Sequence, residues 1–392
     1  MRVALTRQGA HGRLWDLLPE RDAQAEGFQA AFGDTLIEVL SDQAGFGTIL
    51  KHTLGLDEIS AAALKGSPGP HWTVRAVAAR DYDEILQALR DASGAEAGGA
   101  ALADYWRSDF VAQRICDSAL LTAVHHRDPF DAITLFERDR MLITYIRPAG
   151  APVFIPHLEH LVAYVLRFAA WRNGFVDVHA AFVRYRGKGV ALIGRRKAGK
   201  TSLAMHLLRQ GADLLGSDMA QIRVGDAGEI QVSAIPHMCR ITRETVWDNA
   251  LLATALGRTY DENRSYLAGP LFSHGKYELY DPSLARVFGR PVAIEAMRLD
   301  AIVFPRFDVD VPRQSVAPVP DAQAKERLMR SILTDRPLAD WLPFDLSDRR
   351  RNETALAGRL ADDDVRISAY DFAFGKEGSL AWSEIDTIFD RL

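Results

Sequence analysis

Cysteine is scarce in this 392-residue chain, which contains only Cys116 and Cys239. Two thiols exclude a disulfide framework and a metal site built from four cysteines, and they favour a reducing, cytoplasmic compartment. An excess of charge of one sign is also missing, because 47 basic and 52 acidic side chains leave a net charge of −5. A mildly acidic chain does not favour binding to a polyanion, so nucleic acid is not an expected partner.

Long hydrophobic runs are lacking as well. The most apolar segment, residues 160–171, is too short to span a bilayer and contains Arg167, so we expect a core helix there. Arg7, His11 and Arg13 interrupt the apolar stretch that a secretion signal would need. We therefore expect neither export nor a membrane partner.

The chain does have enough apolar residues, 48% of the total, to bury a substantial core, and its length is typical of two or three structural units. Residues 92–101 are small and flexible and are the best linker candidate. We therefore predict an amino-terminal mixed α/β region of unknown role at 1–95, a central domain at 102–345, and a carboxyl-terminal extension at 346–392 that packs on the core.

Hydrophobic alternation and helical periodicity predict a mixed α/β fold. The predicted helices are 81–92, 102–117, 156–172 and 322–333. The predicted strands are 72–78, a hairpin of 131–138 and 140–147 that turns at Asp139, two runs within 175–194 separated by the turn "RGKG", a hairpin at 219–235, and 298–307, which ends at Pro305.

A phosphate-loop motif follows the second run of 175–194. Gly194, Gly199, Lys200 and Thr201 match the spacing G-x-x-x-x-G-K-[ST], with an apolar strand before the loop and a helix after it. The glycines let backbone amides point at phosphate oxygens, and the helix amino terminus favours the same anion. Lys200 supplies a compact positive charge, and the Thr201 hydroxyl suits Mg²⁺. The alternative is a coincidental glycine-flanked turn.

The cofactors predicted from this motif are ATP and Mg²⁺. The predicted nucleotide-binding residues are Gly194, Arg195, Arg196, Lys197, Ala198, Gly199, Lys200, Thr201 and Ser202. The basic side chains inside the loop, Arg195, Arg196 and Lys197, meet either an acidic substrate and additional phosphates or simply solvent.

Two further residues are candidates for catalysis. Asp218 ends a short apolar run after the helix, where its carboxylate could hold Mg²⁺ or accept a proton from an attacking hydroxyl. His179 lies on the strand before the loop and shares a face with Asp177 and Val183. The plainer alternatives are an aspartate in a surface turn and a structural histidine.

Other clusters do not indicate a site. The pairs His125-His126 and His157/His160 lack further ligands at metal-binding spacing, and we expect His157 and His160 at the surface. The runs Arg349-Arg350-Arg351 and Asp362-Asp363-Asp364 are expected to be solvated faces.

The order of motifs in 175–224 resembles HPr kinase/phosphorylase and its relatives. The shared features are a strand with a histidine, a short turn, the phosphate loop, a helix ending in glycine, and an apolar pair before an acid. The resemblance implies a core of mixed strands related to phosphoenolpyruvate carboxykinase. It also implies that Lys200 contacts nucleotide phosphates, that Thr201 and an acid bind Mg²⁺, and that His179 lies near the acid that deprotonates a substrate serine.

The chain departs from that family at two places. Ser217-Asp218 stands where the family has two consecutive acids, and the second family signature is not recognisable in residues 235–247. Arg240 and Arg243 fall where a phosphate-stabilising arginine could come from, and the sequence does not choose between them.

We predict an ATP-dependent kinase that transfers the terminal phosphoryl group to a hydroxyl of a protein, a peptide or a small molecule. The alternative is a nucleotide-binding sensor or scaffold descended from such a kinase, with Ser217 as the trace of lost chemistry. Phosphorolysis or carboxykinase-like chemistry has no specific support. The resemblance also favours a homo-oligomer.

Overall fold

The fold is seen in a computed structural model, and in the described residues it contains twenty strands and six helices in a mixed α/β arrangement. The described residues are 17, 26–32, 35–44, 71–92, 111–117, 121–128, 130–233, 238–242, 272–273, 276–280, 284–285, 287–290, 297–308, 310–311, 313–333, 347–375 and 383–392.

The amino-terminal half contains a seven-stranded sheet with the strand order β1-β2-β3-β7-β6-β5-β4. Pairing is parallel from β2 to β3 and from β3 to β7, and antiparallel elsewhere. The strands are β1 (Glu26–Phe32), β2 (Thr35–Ser41), β3 (His71–Ala79), β4 (Val111–Asp117), β5 (Leu121–Asp128), β6 (Ala132–Glu137) and β7 (Leu142–Pro148).

Helices cover this sheet on both faces. Helix α1 (Tyr82–Ala92) packs with one buried cluster and α2 (Ile155–Arg172) with another. The sheet has strands on both sides of the predicted linker at 92–101, since β3 precedes it and pairs with β7, which follows it. Residues from both sides of the predicted boundary therefore belong to one sheet.

Most predictions of secondary structure for this half are confirmed, and one is wrong. The predicted strand at 72–78, the helices at 81–92 and 156–172, and the hairpin around Asp139 are present. The predicted helix at 102–117 is contradicted where the structure describes it, because 111–117 forms β4. Pairing of β4 with β5, with Ala112, Ile115 and Cys116 buried, overrides the local helical pattern.

His157 also differs from the prediction, because it is completely buried rather than at the surface. Its Nε2 lies 3.0 Å from the hydroxyl of Thr134, and Nε2 of His126 lies 2.9 Å from the same oxygen. Burial lowers the pKa of both histidines well below its usual value. The two neutral imidazoles therefore share one hydroxyl in the core.

Within the described part of the chain there is no group of three or more metal-ligating side chains.

The carboxyl-terminal half contains a six-stranded sheet with the order β11-β9-β10-β18-β20-β19. The three central strands β10, β18 and β20 are parallel to one another. The strands of this sheet are β9 (Ala180–Tyr185), β10 (Lys188–Ile193), β11 (Asp213–Gly216), β18 (Ala301–Phe307), β19 (Ser315–Pro318) and β20 (Ser368–Phe374).

Two smaller sheets lie in the same half of the chain. A four-stranded sheet in the order β17-β13-β12-β8 contains β8 (Val176–Val178), β12 (Ala220–Val224), β13 (Ile230–Ser233) and β17 (Met297–Arg298). A three-stranded sheet in the order β14-β16-β15 contains β14 (Met238–Thr242), β15 (Phe272–Ser273) and β16 (Lys276–Tyr280). The predicted hairpin at 219–235 is confirmed as the antiparallel pair β12 and β13.

Side chains alternate between two cores on the faces of the six-stranded sheet. Val183 and Leu192 belong to one cluster, whereas Phe182 and Ala191 belong to the other. Helices α3 (Lys200–Arg209) and α6 (Ser383–Phe389) pack on the first face. Helices α4 (Asp321–Met329) and α5 (Ser347–Ala361) pack with the four-stranded sheet on the second. None of the helices in the described part of the chain has the length and apolarity needed to span a bilayer.

The carboxyl-terminal residues contribute to this sheet rather than only covering it. Strand β20 lies inside the predicted extension at 346–392, yet it pairs with β18 from Ala301↔Ser368 to Phe307↔Phe374. Strand β18 also continues past Pro305, where the sequence predicted its end. Its pairing with β10 stops at Val303, so no ladder hydrogen bond on that side is lost to the proline.

The charged clusters of the tail are only partly solvated. Arg350 and Arg351 are exposed, as predicted, but Arg349 is buried and bonds Glu353 and the carbonyl of Leu333. The three aspartates at 362–364 are exposed, as predicted.

Candidate functional site

The predicted site residues come together at one edge of the six-stranded sheet. Strands β10, β18 and β20 are parallel, so their carboxyl ends share this edge. Strand β11 also ends there and β9 begins there, because each is antiparallel to its neighbour. The carboxyl edge of parallel strands is where α/β proteins commonly place their ligands. The predicted loop, His179 and Asp218 all lie at this edge.

A tight hairpin delivers the chain to the loop. Tyr185 pairs with Lys188, which leaves a two-residue turn of Arg186 and Gly187, both with positive φ (51° and 75°). Such a turn matches the twist of antiparallel strands and sets their register. The apolar run of β10 then ends at Ile193, and the loop starts at Gly194.

The loop itself is a compact turn between β10 and α3. The Ala198 amide donates to the carbonyl of Arg195 at 3.1 Å, and Lys197 and Gly199 have φ values of 68° and 93°. A Cβ on Gly199 would lie 2.4 Å from the ring of Phe374, so this position requires glycine for space as well as for conformation. The neighbouring strand ends therefore fix the curvature of the loop.

Lys200 is the first residue of α3 and is only 7% exposed. Its Nζ donates to the carbonyl of Gly194 at 2.7 Å and is 3.4 Å from the carbonyl of Arg195. The ammonium group is therefore held at the mouth of the loop, next to the first turn of α3. Thr201 and Ser202, in that first turn, are partly exposed.

The three basic residues inside the loop point to solvent. Arg195, Arg196 and Lys197 are exposed, and none of them forms an ion pair with another described residue. Together with Lys200 they make the loop strongly positive in a chain whose net charge is −5. An anionic ligand is favoured there.

His179 and Asp218 contact each other across the edge. His179 Nε2 lies 3.1 Å from Asp218 Oδ1, and the two side chains are 31% and 37% exposed. The backbone amide of His179 donates to the carbonyl of Ser331 at 2.9 Å, which fixes the residue between β8 and β9. A carboxylate and an imidazole in contact, both open to solvent, can accept and pass on a proton.

A buried ion pair supports β8, the strand that ends next to His179. Asp177 of β8 accepts hydrogen bonds from Arg167 Nη2 at 2.6 Å, Trp171 Nε1 at 3.0 Å and Gln221 Nε2 at 3.0 Å. Burial alone would lower the pKa of Arg167, but the Asp177 carboxylate outweighs this effect and the pKa lies above its usual value. Helix α2 is thereby fixed to β8 two residues before His179.

Ser217 and Asp218 have different environments. Ser217 is only 2% exposed, and its hydroxyl has no hydrogen-bond partner among the described residues, whereas Asp218 reaches the open edge. An ionised acid at position 217 would be costly to bury. Asp218, rather than residue 217, is therefore the position from which a carboxylate contacts His179.

Sequence reasoning missed two aromatic residues at this edge. Phe307 and Phe374 end β18 and β20, and their ring centroids are 5.5 Å apart. The Phe307 amide donates to the carbonyl of Ala198 at 3.0 Å. The short, apolar and aromatic-rich run at 368–374 was the available signal for the second strand, but nothing local indicated that it joins the loop.

Of the two candidate arginines, only Arg240 lies among the described residues. Arg240 lies on β14, where its backbone pairs opposite Glu278 of β16. Arg243 lies outside the described residues.

Comparisons with known proteins find a weak structural likeness and no match by sequence. No protein-family model and no curated protein sequence matches the chain. Among solved structures, the chain is similar to the Hpr(Ser) kinase/phosphatase from Coxiella burnetii, at 13% identity and a TM-score of 0.28, over 55% of this chain and 88% of that one. This likeness is too weak to establish a shared fold.

Proposed function

We propose that the protein is an ATP-dependent kinase of the HPr-kinase type, with its phosphate loop at 194–201. The observation that carries the proposal is the contact between His179 and Asp218 at the same sheet edge as this loop. A phosphate-binding loop alone would serve many classes of protein. A solvent-open acid and imidazole beside it provide what transfer to a hydroxyl requires.

The residues at this edge fit a nucleoside triphosphate with Mg²⁺. The loop amides, the amino terminus of α3 and Lys200 favour phosphate oxygens. The Thr201 hydroxyl and the Asp218 carboxylate are hard oxygen ligands, and phosphate oxygens and water would complete the coordination of Mg²⁺. The metal would neutralise charge on the phosphates.

In the proposed reaction, an acceptor hydroxyl attacks the terminal phosphorus, and the bond from that phosphorus to the bridging oxygen breaks. Asp218 accepts the hydroxyl proton, and His179, in contact with Oδ1, orients the carboxylate. Lys200 and the loop amides stabilise the charge on the transferred and leaving groups. Catalysis consists chiefly of positioning and charge stabilisation.

The second candidate is a nucleotide-binding sensor or scaffold, and the serine at position 217 is the observation that favours it. Ser217 replaces the first of the two acids that the family resemblance implies. Its burial weakens this alternative, because the retained acid, Asp218, is the one that reaches the open edge.

The acceptor is proposed only as a hydroxyl of a protein, a peptide or a small molecule. A cytoplasmic location and a homo-oligomeric state are likewise proposals, based on the low cysteine content and on the family resemblance.

The test measures ATP binding and transfer of labelled terminal phosphate to lysate fractions. We expect wild-type protein to do both, Lys200→Ala to lose binding, and Asp218→Asn to bind ATP but lose transfer. Asp226→Asn, in the exposed turn between β12 and β13, is the matched control and should behave as wild type. Binding without transfer or hydrolysis in any fraction would reject the kinase and favour the sensor.

A further inference from the structure

Phe307 is unusual among the apolar residues of the protein. It is 41% exposed, and it is the large hydrophobic side chain that stands out as exposed in the described part of the chain. An isolated exposed aromatic residue on a surface needs no explanation in general. Its position at the carboxyl end of β18, beside the loop at 194–199, is what gives it meaning here.

The ring is held in place from two sides. The backbone amide of Phe307 is tied to the carbonyl of Ala198 at 3.0 Å, inside the loop. Its ring centroid lies 5.5 Å from that of Phe374, with an interplanar angle of 57°, and Phe374 is only 2% exposed. Phe307 is therefore an aromatic surface on a fixed support, with part of its area open to solvent.

The order of strands gives the direction in which a nucleotide would lie. Asp218 and His179 are on the β11 and β9 side of β10, whereas Phe307 is on the β18 side. If the terminal phosphate is next to Asp218, the phosphate chain crosses the loop and its nucleoside end reaches β18. From β11 to β18 there are three strand spacings, about 14 Å. An extended nucleoside triphosphate can cover this distance.

We propose that Phe307 is the stacking platform for the base of the bound nucleotide. The proposal rests on the proposed function, because it assumes that the loop holds the phosphates. Aromatic stacking accepts any base, since every base has a π face. The structure thus assigns Phe307 to affinity for the base and the loop to affinity for the phosphates.

The experiment compares two ligands that share the phosphates but not the base. Dissociation constants for Mg-ATP and for Mg-tripolyphosphate are measured by calorimetry on wild-type protein and on Phe307→Leu, Phe307→Ala and Phe307→Trp. Leucine keeps an apolar side chain at this position but has no aromatic face. It therefore separates the contribution of stacking from that of apolar contact. Thermal unfolding checks that each variant is folded. We expect all three variants to fold, because Phe307 is partly exposed.

We expect Phe307→Leu and Phe307→Ala to weaken the binding of Mg-ATP about tenfold and to leave the affinity for Mg-tripolyphosphate unchanged. We expect Phe307→Trp to retain the wild-type affinity for Mg-ATP. Unchanged ATP affinity in the leucine and alanine variants would overturn the assignment while leaving the kinase proposal intact. Equal weakening of both ligands would also overturn it, because Phe307 would then act on the loop through Ala198. A wild-type protein that binds neither ligand would overturn the assignment and the nucleotide site together.

Discussion

Replacing Asp177 by leucine should destabilise the folded protein by about 4 kcal/mol. Asp177 is 1% exposed and is paired with Arg167, whose side chain is 4% exposed. Leucine has the same branched skeleton as aspartate and a larger volume, so the substitution removes the charge and the acceptor oxygens without creating a cavity.

The magnitude follows from what the substitution leaves behind. The Arg167 guanidinium would remain buried without its carboxylate, and breaking such a pair typically costs 3–5 kcal/mol. The N–H groups of Trp171 and Gln221 would also lose their acceptor, which adds about 1 kcal/mol for each group that finds no substitute. These contributions overlap, because all three donors share one carboxylate.

Equilibrium unfolding in urea measures the effect, with Arg167→Met and the double variant completing a double-mutant cycle. Because the double variant buries no unpaired charge, it should recover most of the loss and show a coupling of about 2 kcal/mol or more. A loss below about 1 kcal/mol in Asp177→Leu, or additive single effects, would refute the idea that this pair stabilises the junction of α2 and β8.

Three further predictions concern other parts of the fold. The folded-state pKa values of His126 and His157 lie below the usual 6.5, so in acid the unfolded chain takes up protons that the folded chain does not. Stability measured by urea unfolding should therefore fall as the pH drops from 7 to 5, with a slope that approaches about 1.4 kcal/mol per pH unit for each histidine only below about pH 6, and His157→Gln should remove one share of that slope. Gly199→Ala should abolish nucleotide binding in the calorimetric assay, because the new Cβ would collide with Phe374; unchanged affinity would count against the described loop. In Gly187→Ala the new Cβ would have free space, so the positive φ should lower the free energy of unfolding by only about 1 kcal/mol, and Gly187→Asn should lower it by less. A melting temperature lowered equally by both substitutions would argue against the turn with two positive φ values.

Local chemistry made several features predictable. Helix α2 and the hairpin of β6 and β7 follow from periodicity over short stretches of chain. The loop at 194–199 was recognised because its glycines and Lys200 stand at fixed spacing between a strand and a helix, and that context depends on neighbours in sequence. Each of these features is indicated by residues that lie close together in the chain.

Errors arose where distant partners decide the structure. Residues 111–117 were predicted to be helical, but they pair with β5 as an antiparallel strand. Pairing in a sheet outweighs a weak local preference for helix. His157 was expected at the surface, although Thr134 and the core around α2 bury it. The tail at 346–392 was read as an extension, because nothing within it shows that β20 will pair with β18.

The loop, its flanking strand and helix, and its charged residues were predictable from the amino-acid sequence, because they depend on spacing along the chain. Only the tertiary structure brought Asp218 to within 3.1 Å of His179, 39 positions away. It also placed Phe307 beside Ala198, more than a hundred residues earlier in the chain. Strand order and direction decide which chain ends share an edge, and they are set by long-range pairing and burial that no local pattern encodes.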